Sequence, residues 1–503
     1  MKWDILIPII IYILGLFAIG AWAFLRKKNA PEGGVTAEYY IGGRTLGPVV
    51  LVFTLLASAA SAGTFIGVPG LAYQGGHAWV LVFLFQAPAA FITLAILGKK
   101  FAILSRKHNF VTITDFLRHR FESKAVTAFA SLGIVLFLVA YMVAQFVGGA
   151  RLLVSITGVS YPVLIVAFAG VVALYTGFGG FMADAISDTV QGVIMLAGGV
   201  VLWVAVLVVL GGTTPMAEQL AGSHPDLGTL PGPSGIGLGD MFAYSLQFGL
   251  LLFALPHVAI RAMSYRDSKT AHLAMWTGPL IMAIFTLGFG AMGVTARVFF
   301  PDLDIVDLAV PNMVVDTLPG ALAGALLAAP LAAIMSTVDS MILVVSGTIV
   351  RDVYMEYFKP NLSDRRASNV GTLVSILIGV IVLVLALRPP DALQYLVVFA
   401  IAGLQAVFAV PLVGGLYWRR ANALGAMLSM VGGVAWYIAS TQWFPAMAMG
   451  ILPIVNAMVV AVLLFVLGGY LGSAPPRHVL VKFWGTQAEI DRLGAVPQGG
   501  VRQ

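Results

Sequence analysis

Apolar runs of about 20 residues recur along the whole sequence, from a first at 5–25 to a last at 447–471. Each is long enough to cross the ~30 Å hydrocarbon core of a bilayer as a helix. A bilayer admits only backbones that satisfy their own polar groups, as helices or closed barrels, and long apolar runs without alternation select helices. Charged residues make up 10% of the 503-residue chain, against roughly a quarter in soluble domains. The expected fold is therefore an all-α polytopic membrane protein, multi-pass in the plasma membrane and surrounded by lipid. It forms one domain over 1–471, and a cytoplasmic tail over 472–503 is too short and too rich in Pro and Gly for a domain of its own. With no Cys, disulfides, thiolate metal sites and thiol nucleophiles are excluded. The formal charge of +6 sits in short loops, so it reads as topology and not as a nucleic-acid surface.

Thirteen spans are expected, roughly 5–25, 47–70, 78–98, 126–149, 160–178, 184–210, 241–263, 274–297, 319–349, 369–388, 393–416, 422–440 and 447–471. The first is read as a retained helix and not a signal peptide, because its apolar run is long and Arg26, Lys27 and Lys28 follow it directly. With the N-terminus outside and the C-terminus inside, all but Lys2, Arg151, Arg297 and Arg388 of the 28 Lys and Arg residues fall on the cytoplasmic side. That is the asymmetry the positive-inside rule requires. Arg261 is counted there with the inner loop charges.

The second span reads LVFTLLASAASAGTFIGVPGLAY over Leu51–Tyr73. Its middle is Ala and Ser, and Gly63, Gly67, Pro69 and Gly70 follow. Small residues let other helices come close, and Gly with Pro lets the helix unwind where its carbonyls line a cavity. Five spans later, the seventh carries Gly249 and then Pro256-His257. Pro256 alone is equally read as a simple kink. As a pair, the broken helices point to two five-span halves of opposite topology, the inverted-repeat core of many secondary transporters. That core covers about 47–416, with 5–25, 422–440 and 447–471 at its periphery.

The ninth span places Ser336 and Thr337 three and four residues after Ala333, on one helix face. Two hydroxyls and freed carbonyls are neutral oxygen ligands. They suit a monovalent ion better than Ca²⁺ or Mg²⁺, which recruit carboxylates. Bonding back to their own helix is the alternative. Ionisable groups within spans are functional candidates. Asp188 opens the sixth span, Asp339 lies one turn from Ser336 and serves function or helix pairing, and His257 is a ligand contact or a packing residue. Arg151 is read as interfacial, and no Lys or Arg is read deep in the core. Gln145, Gln247 and Gln405 are substrate candidates or interhelical glue. The motifs G-x-S-x-G, H-E-x-x-H and the Walker P-loop are missing, so no enzyme is expected.

Blocks spread over nearly the whole chain resemble the sodium:solute symporter family: YIGGRTLGP (Tyr40–Pro48), GVPG (Gly67–Gly70), YTGFGGFMADAISDTVQ (Tyr175–Gln191), AAIMSTVDS (Ala332–Ser340) and GLYWRRANALGA (Gly415–Ala426). ILGKKFAILSRKHNFVTITDFL (Ile96–Leu117), QFVGGARLL (Gln145–Leu153) and LPHVAIRAMSYRDSKTAH (Leu255–His272) are similar to its pantothenate-carrying branch. The resemblance implies a LeuT-type fold and sodium-coupled uptake of a small solute, with sodium as coupling ion and no other cofactor. It implies a sodium site of Ala57 and Ala60 carbonyls with Ala333, Ser336 and Thr337. It also implies a second sodium site or exit route at Asp188, preceded by Ser187. The proline-type branch has Asp where this chain has Ala59, which argues against an amino acid substrate. The same fold carrying a monocarboxylate or a sugar, proton coupling through Asp339 or Asp188, and a channel or sensor are the rival expectations.

Overall fold

Helices account for almost every described residue, and the described residues form no strand, only one isolated bridge between Leu46 and Tyr265. The computed structural model describes residues 3–28, 44–359, 364–390 and 392–485, except for the side chains of 23–28, 174–183, 364–365 and 368. The block Tyr40–Pro48 falls partly outside these residues, and the tail beyond 485 wholly so.

Ten described helices are long and apolar enough to cross a membrane, and a pair bent by 61° at a short break supplies another crossing. The pair is α1's neighbour in sequence: α1 is Trp3–Lys28, α2 is Pro48–Ala59 and α3 is Val68–Gly75. The long helices α4 (Lys124–Thr157), α5 (Tyr161–Val209), α6 (Ser268–Phe299), α7 (Gly320–Gly347) and α8 (Leu393–Tyr417) surround it. The two spans expected at 160–178 and 184–210 lie in one helical stretch, α5. Its 49 residues measure about 73 Å if straight, more than twice the ~30 Å hydrocarbon core. The seventh expected span is a chain of short pieces, from Leu238–Ser245 through a π-turn at Leu246–Leu250 to Pro256–Ala259 and Arg261–Ser264.

The first helix packs directly on the core. Ile5, Ile9, Tyr12 and Leu16 form its buried stripe, while Ile7, Ile11 and Leu14 are exposed, as a lipid-facing side should be. Its stripe packs on α7, the helix of Ser336 and Thr337. Gly324 makes that approach possible, because a Cβ there would collide with the backbone of Ile5. Tyr12 reaches further in, accepting from Gln191 at 2.9 Å.

The tail begins as a helix, Arg477–Trp484, that buries Val479 and Phe483. It docks on the helix Ile113–Phe121, where Lys482 Nζ meets His119 Nδ1 at 2.8 Å. Burial, with the neighbouring Lys482 charge, pushes His119 down to about 4, so at neutral pH its ring accepts this bond uncharged.

Candidate functional site

Where a helix unwinds in apolar surroundings, every freed backbone group needs a partner. α2 ends at Ala59, Ala60 is extended (φ −88°, ψ 127°), and a π-turn at Gly63–Gly67 leads into α3. The freed groups are met almost entirely by side chains. Gln145 Oε1 accepts from Ala62 N at 2.8 Å, Gln86 Nε2 donates to Ala59 O at 3.0 Å, and Ser61 Oγ accepts from Gly63 N at 3.0 Å.

The remaining carbonyls face α7. Ser336 Oγ lies 3.2 Å from Ala57 O and 3.1 Å from Ala333 O. Thr337 Oγ1 lies 3.2 Å from Ala57 O, 3.0 Å from Ala60 O and 2.8 Å from Ala333 O. The structure thus brings together all five residues implied by the resemblance, each fully buried. Bonding back to α7 and bonding across to α2 occur at once, so the two readings of these hydroxyls do not compete. The oxygens are neutral. Such a set suits a weakly held monovalent cation better than a divalent one, which recruits carboxylates.

The four substrate candidates lie at or beside the two breaks. Gln145 caps the first break. Gln247 Nε2 donates to Val398 O at 2.8 Å, and Gln405 Nε2 donates to Gln247 O at 2.6 Å, so this pair ties the second broken segment to α8. His257 stands edge-on to Tyr141, with ring centroids 5.9 Å apart. Each of the three amides thus bonds a backbone group of another segment, as interhelical glue does, and keeps one buried polar atom without a hydrogen-bond partner among the described residues. A cavity of about 200 Å³ opens beside the first break, lined among others by Ser61, Thr64, Gln86, Tyr141, Phe248 and Gln394. No lining residue is charged. Gln394 Oε1 is buried there without a hydrogen-bond partner among the described residues. A Cβ on Gly63 would stand 2.9 Å from it, and one on Gly67 closer still. These glycines, legible in the sequence as helix breakers, also make room for an amide that sequence reasoning missed. Gln394 is the second residue of α8, at the edge of the expected span 393–416, where its position alone gives no signal.

Two arginines correct the sequence reading. Arg151, read as interfacial, is enclosed by the protein: it is 5% exposed and forms an ion pair with Asp307, while Asp307 also accepts from Leu393 N at 3.1 Å. Arg261 is not a loop charge: it is fully buried, 2.8 Å from Asp184 and 3.1 Å from Asp188. Asp188, the candidate second ion site, thus already holds a cation of the chain itself. The signal was in the sequence, since Arg261 lies in the apolar run AIRAMS just past a helix break. A charge tally cannot distinguish such a residue from a loop arginine.

The sequence profile described as the sodium:solute symporter family matches residues 39–433. A sodium/pantothenate symporter of Escherichia coli K12 is 39% identical over 487 residues, covering 96% of this chain and 99% of that one. A sodium/pantothenate symporter of Haemophilus influenzae is 36% identical over 479 residues, with 94% and 97% covered. A sodium/proline symporter of Staphylococcus aureus USA300 is 29% identical, with 95% and 94% covered. Among solved structures, a Na⁺-coupled sialic acid symporter in a substrate-bound outward-open state superposes with a TM-score of 0.78 at 20% identity, over 94% of this chain and 99% of that one. Mhp1, a nucleobase-cation-symport-1 family transporter, gives 0.54 at 14% identity, over 88% and 97%. At such identities the likeness is one of fold, and that fold is the LeuT-type core implied by the resemblance.

Proposed function

Because the chain belongs to the sodium:solute symporter family, we propose that it carries pantothenate inward together with sodium, by alternating access. It is a sodium-coupled secondary transporter of the plasma membrane and not an enzyme. The proposal concerns the solute, the ion ligands and the topology: thirteen crossings with the N-terminus outside and the C-terminus inside.

One observation carries the ion assignment. Five oxygens from two antiparallel helices converge where α2 unwinds, and they belong to Ala57, Ala60, Ala333, Ser336 and Thr337. Sodium there joins the broken helix to α7 more tightly than the hydroxyl bonds alone, since ion–dipole contacts exceed neutral hydrogen bonds. In this scheme the ion holds the outward-open form and shapes the cavity beside the break. Solute binding then closes the outer side, and low internal sodium drives release.

The solute assignment is supported by two full-length relatives that carry the name, and by the chemistry of the cavity. Pantothenate offers hydroxyls, an amide and one carboxylate. Gln86, Gln394, Ser61, Thr64 and Tyr141 supply matching neutral donors and acceptors. The carboxylate finds no Lys or Arg in that lining, so its countercharge is the bound sodium.

The test is uptake of radiolabelled pantothenate into proteoliposomes under an inward sodium gradient, challenged with excess unlabelled solutes. Unlabelled pantothenate is expected to suppress the signal at least tenfold, with proline, acetate and glucose leaving it unchanged. Sodium-driven uptake of one of those solutes, without pantothenate uptake, retains the ion site and removes the solute.

A further inference from the structure

Asp184 and Asp188 lie one turn apart on α5, and three other elements reach them. Arg261 Nη2 donates to Asp184 Oδ2 at 2.8 Å, to Asp188 Oδ2 at 3.1 Å and to Ser340 Oγ at 2.6 Å. Its Nε donates to Thr54 Oγ1 at 3.2 Å and its Nη1 to His257 O at 2.6 Å. Thr54 in turn donates to Asp188 Oδ2 at 2.6 Å, and Ser340 to Asp184 Oδ1 at 3.2 Å. All of these side chains are buried.

Place in the fold gives the network its meaning. Thr54 precedes Ala57 by three residues on α2, and Ser340 follows Thr337 by three on α7. The two helices run in opposite directions, so both steps lead the same way, toward the cytoplasm in the proposed topology, by about 4.5 Å each. The network therefore lies directly beneath the five oxygens. Beyond it, a crevice lined by Thr112, Pro256, Ile260, Leu343 and Thr348 holds about 390 Å³ of empty space. Ile260 is next to Arg261, and Leu343 follows Ser340 by three residues. Arg261 thus stands between the ion ligands and the inner crevice.

Taking the ion-site reading above as given, we infer that Arg261 is a tethered cation that fills the Asp184–Asp188 pair in place of a second sodium. The protein then binds one sodium, and that ion passes inward only when Arg261 moves off. A guanidinium stays charged at any physiological pH. Two cations a few ångströms apart in a low-dielectric interior exclude each other. With both carboxylates ionised the trio is net negative by one, which offsets the sodium held one turn above by neutral oxygens. Asp339 on α7 adds to the same negative field. Asp188 Oδ1 is buried and has no hydrogen-bond partner among the described residues, which makes it the oxygen a cation finds once Arg261 is gone. The residue is also placed to move. It sits on Arg261–Ser264, beyond the extended Leu255 that breaks the seventh span.

The experiment counts radiolabelled sodium bound at equilibrium per full-length chain in detergent. One sodium is expected for the wild type and for Arg261→Lys, two for Arg261→Gln, and one again for Arg261→Gln with Asp188→Asn. Two sodium ions on the wild type, one of them lost in Asp188→Asn, overturn the inference, as does one sodium on a monodisperse Arg261→Gln protein. If Arg261→Gln does not fold, the wild type and Asp188→Asn decide alone: a count of one in both supports the inference. A wild type that binds no sodium overturns the underlying ion site instead.

Discussion

Replacing Ser336 and Thr337 together by Ala is expected to weaken sodium at least 100-fold and to bring sodium-driven uptake close to background. The double variant removes two of five oxygens and leaves the Ala57 and Ala60 carbonyls of the broken helix without the hydroxyls that tie them to α7. A hydrogen-bonding partner of a charged group contributes about 1.5–3 kcal/mol, and 1.4 kcal/mol is tenfold in an equilibrium. Two such losses give 100-fold or more. The single variants should be ordered. Thr337 Oγ1 approaches three of the carbonyls and Ser336 Oγ approaches two, so Thr337→Ala should shift the half-saturating sodium concentration further than Ser336→Ala. The fold should survive, because both losses are small in volume and sit at an existing break. A double variant that keeps the wild-type sodium dependence of uptake would place the ion elsewhere.

The second large effect is on stability. Arg151→Ala is expected to cost about 3–5 kcal/mol, the range for removing one partner of a buried ion pair. Asp307 would keep Leu393 N as hydrogen-bond partner but lose the guanidinium that balances its charge. Burial already raises the Asp307 carboxyl above the usual range, and Arg151 opposes that rise. The pair also ties together the end of α4, the segment Val306–Leu308 and the start of α8. Thermal unfolding in detergent reads the effect. The paired change Arg151→Met with Asp307→Leu should recover most of the loss, since an apolar pair strands no charge. If Arg151→Ala unfolds at the wild-type temperature, the ion pair contributes nothing to the fold.

The parts of the account legible in the sequence are those set by local chemistry. The run from Ala57 to Gly70 declares a break because small residues, Gly and Pro act on their own helix. Ser336 and Thr337 declare a face because their spacing from Ala333 is helical. Both features survive into the structure and meet there. What was not legible depends on which elements touch. Gln145, Gln247 and Gln405 had two readings, and only tertiary neighbours decide that each amide meets a backbone group. Arg261 and Asp184 are 77 residues apart in sequence, and no periodicity links them. Arg151 and Asp307 are 156 apart. Long-range charge pairing of this kind overrode the tally that assigned the basic residues to loops or interfaces. The packing of the first helix was not legible for a similar reason: its lipid-facing side is obvious from Ile7, Ile11 and Leu14, but its fit onto α7 depends on Gly324, far along the chain.

The central claim is that sodium bound between α2 and α7 drives uptake. The most direct measurement is the initial rate of radiolabelled pantothenate uptake into proteoliposomes while the inward sodium gradient and the proton gradient are varied independently. Uptake should require inward sodium, collapse when a sodium ionophore dissipates the gradient, and be indifferent to a protonophore. Uptake that persists in sodium-free buffer and follows the proton gradient would contradict the claim, and would move the coupling from Ser336 and Thr337 to the carboxylates of Asp188 and Asp339.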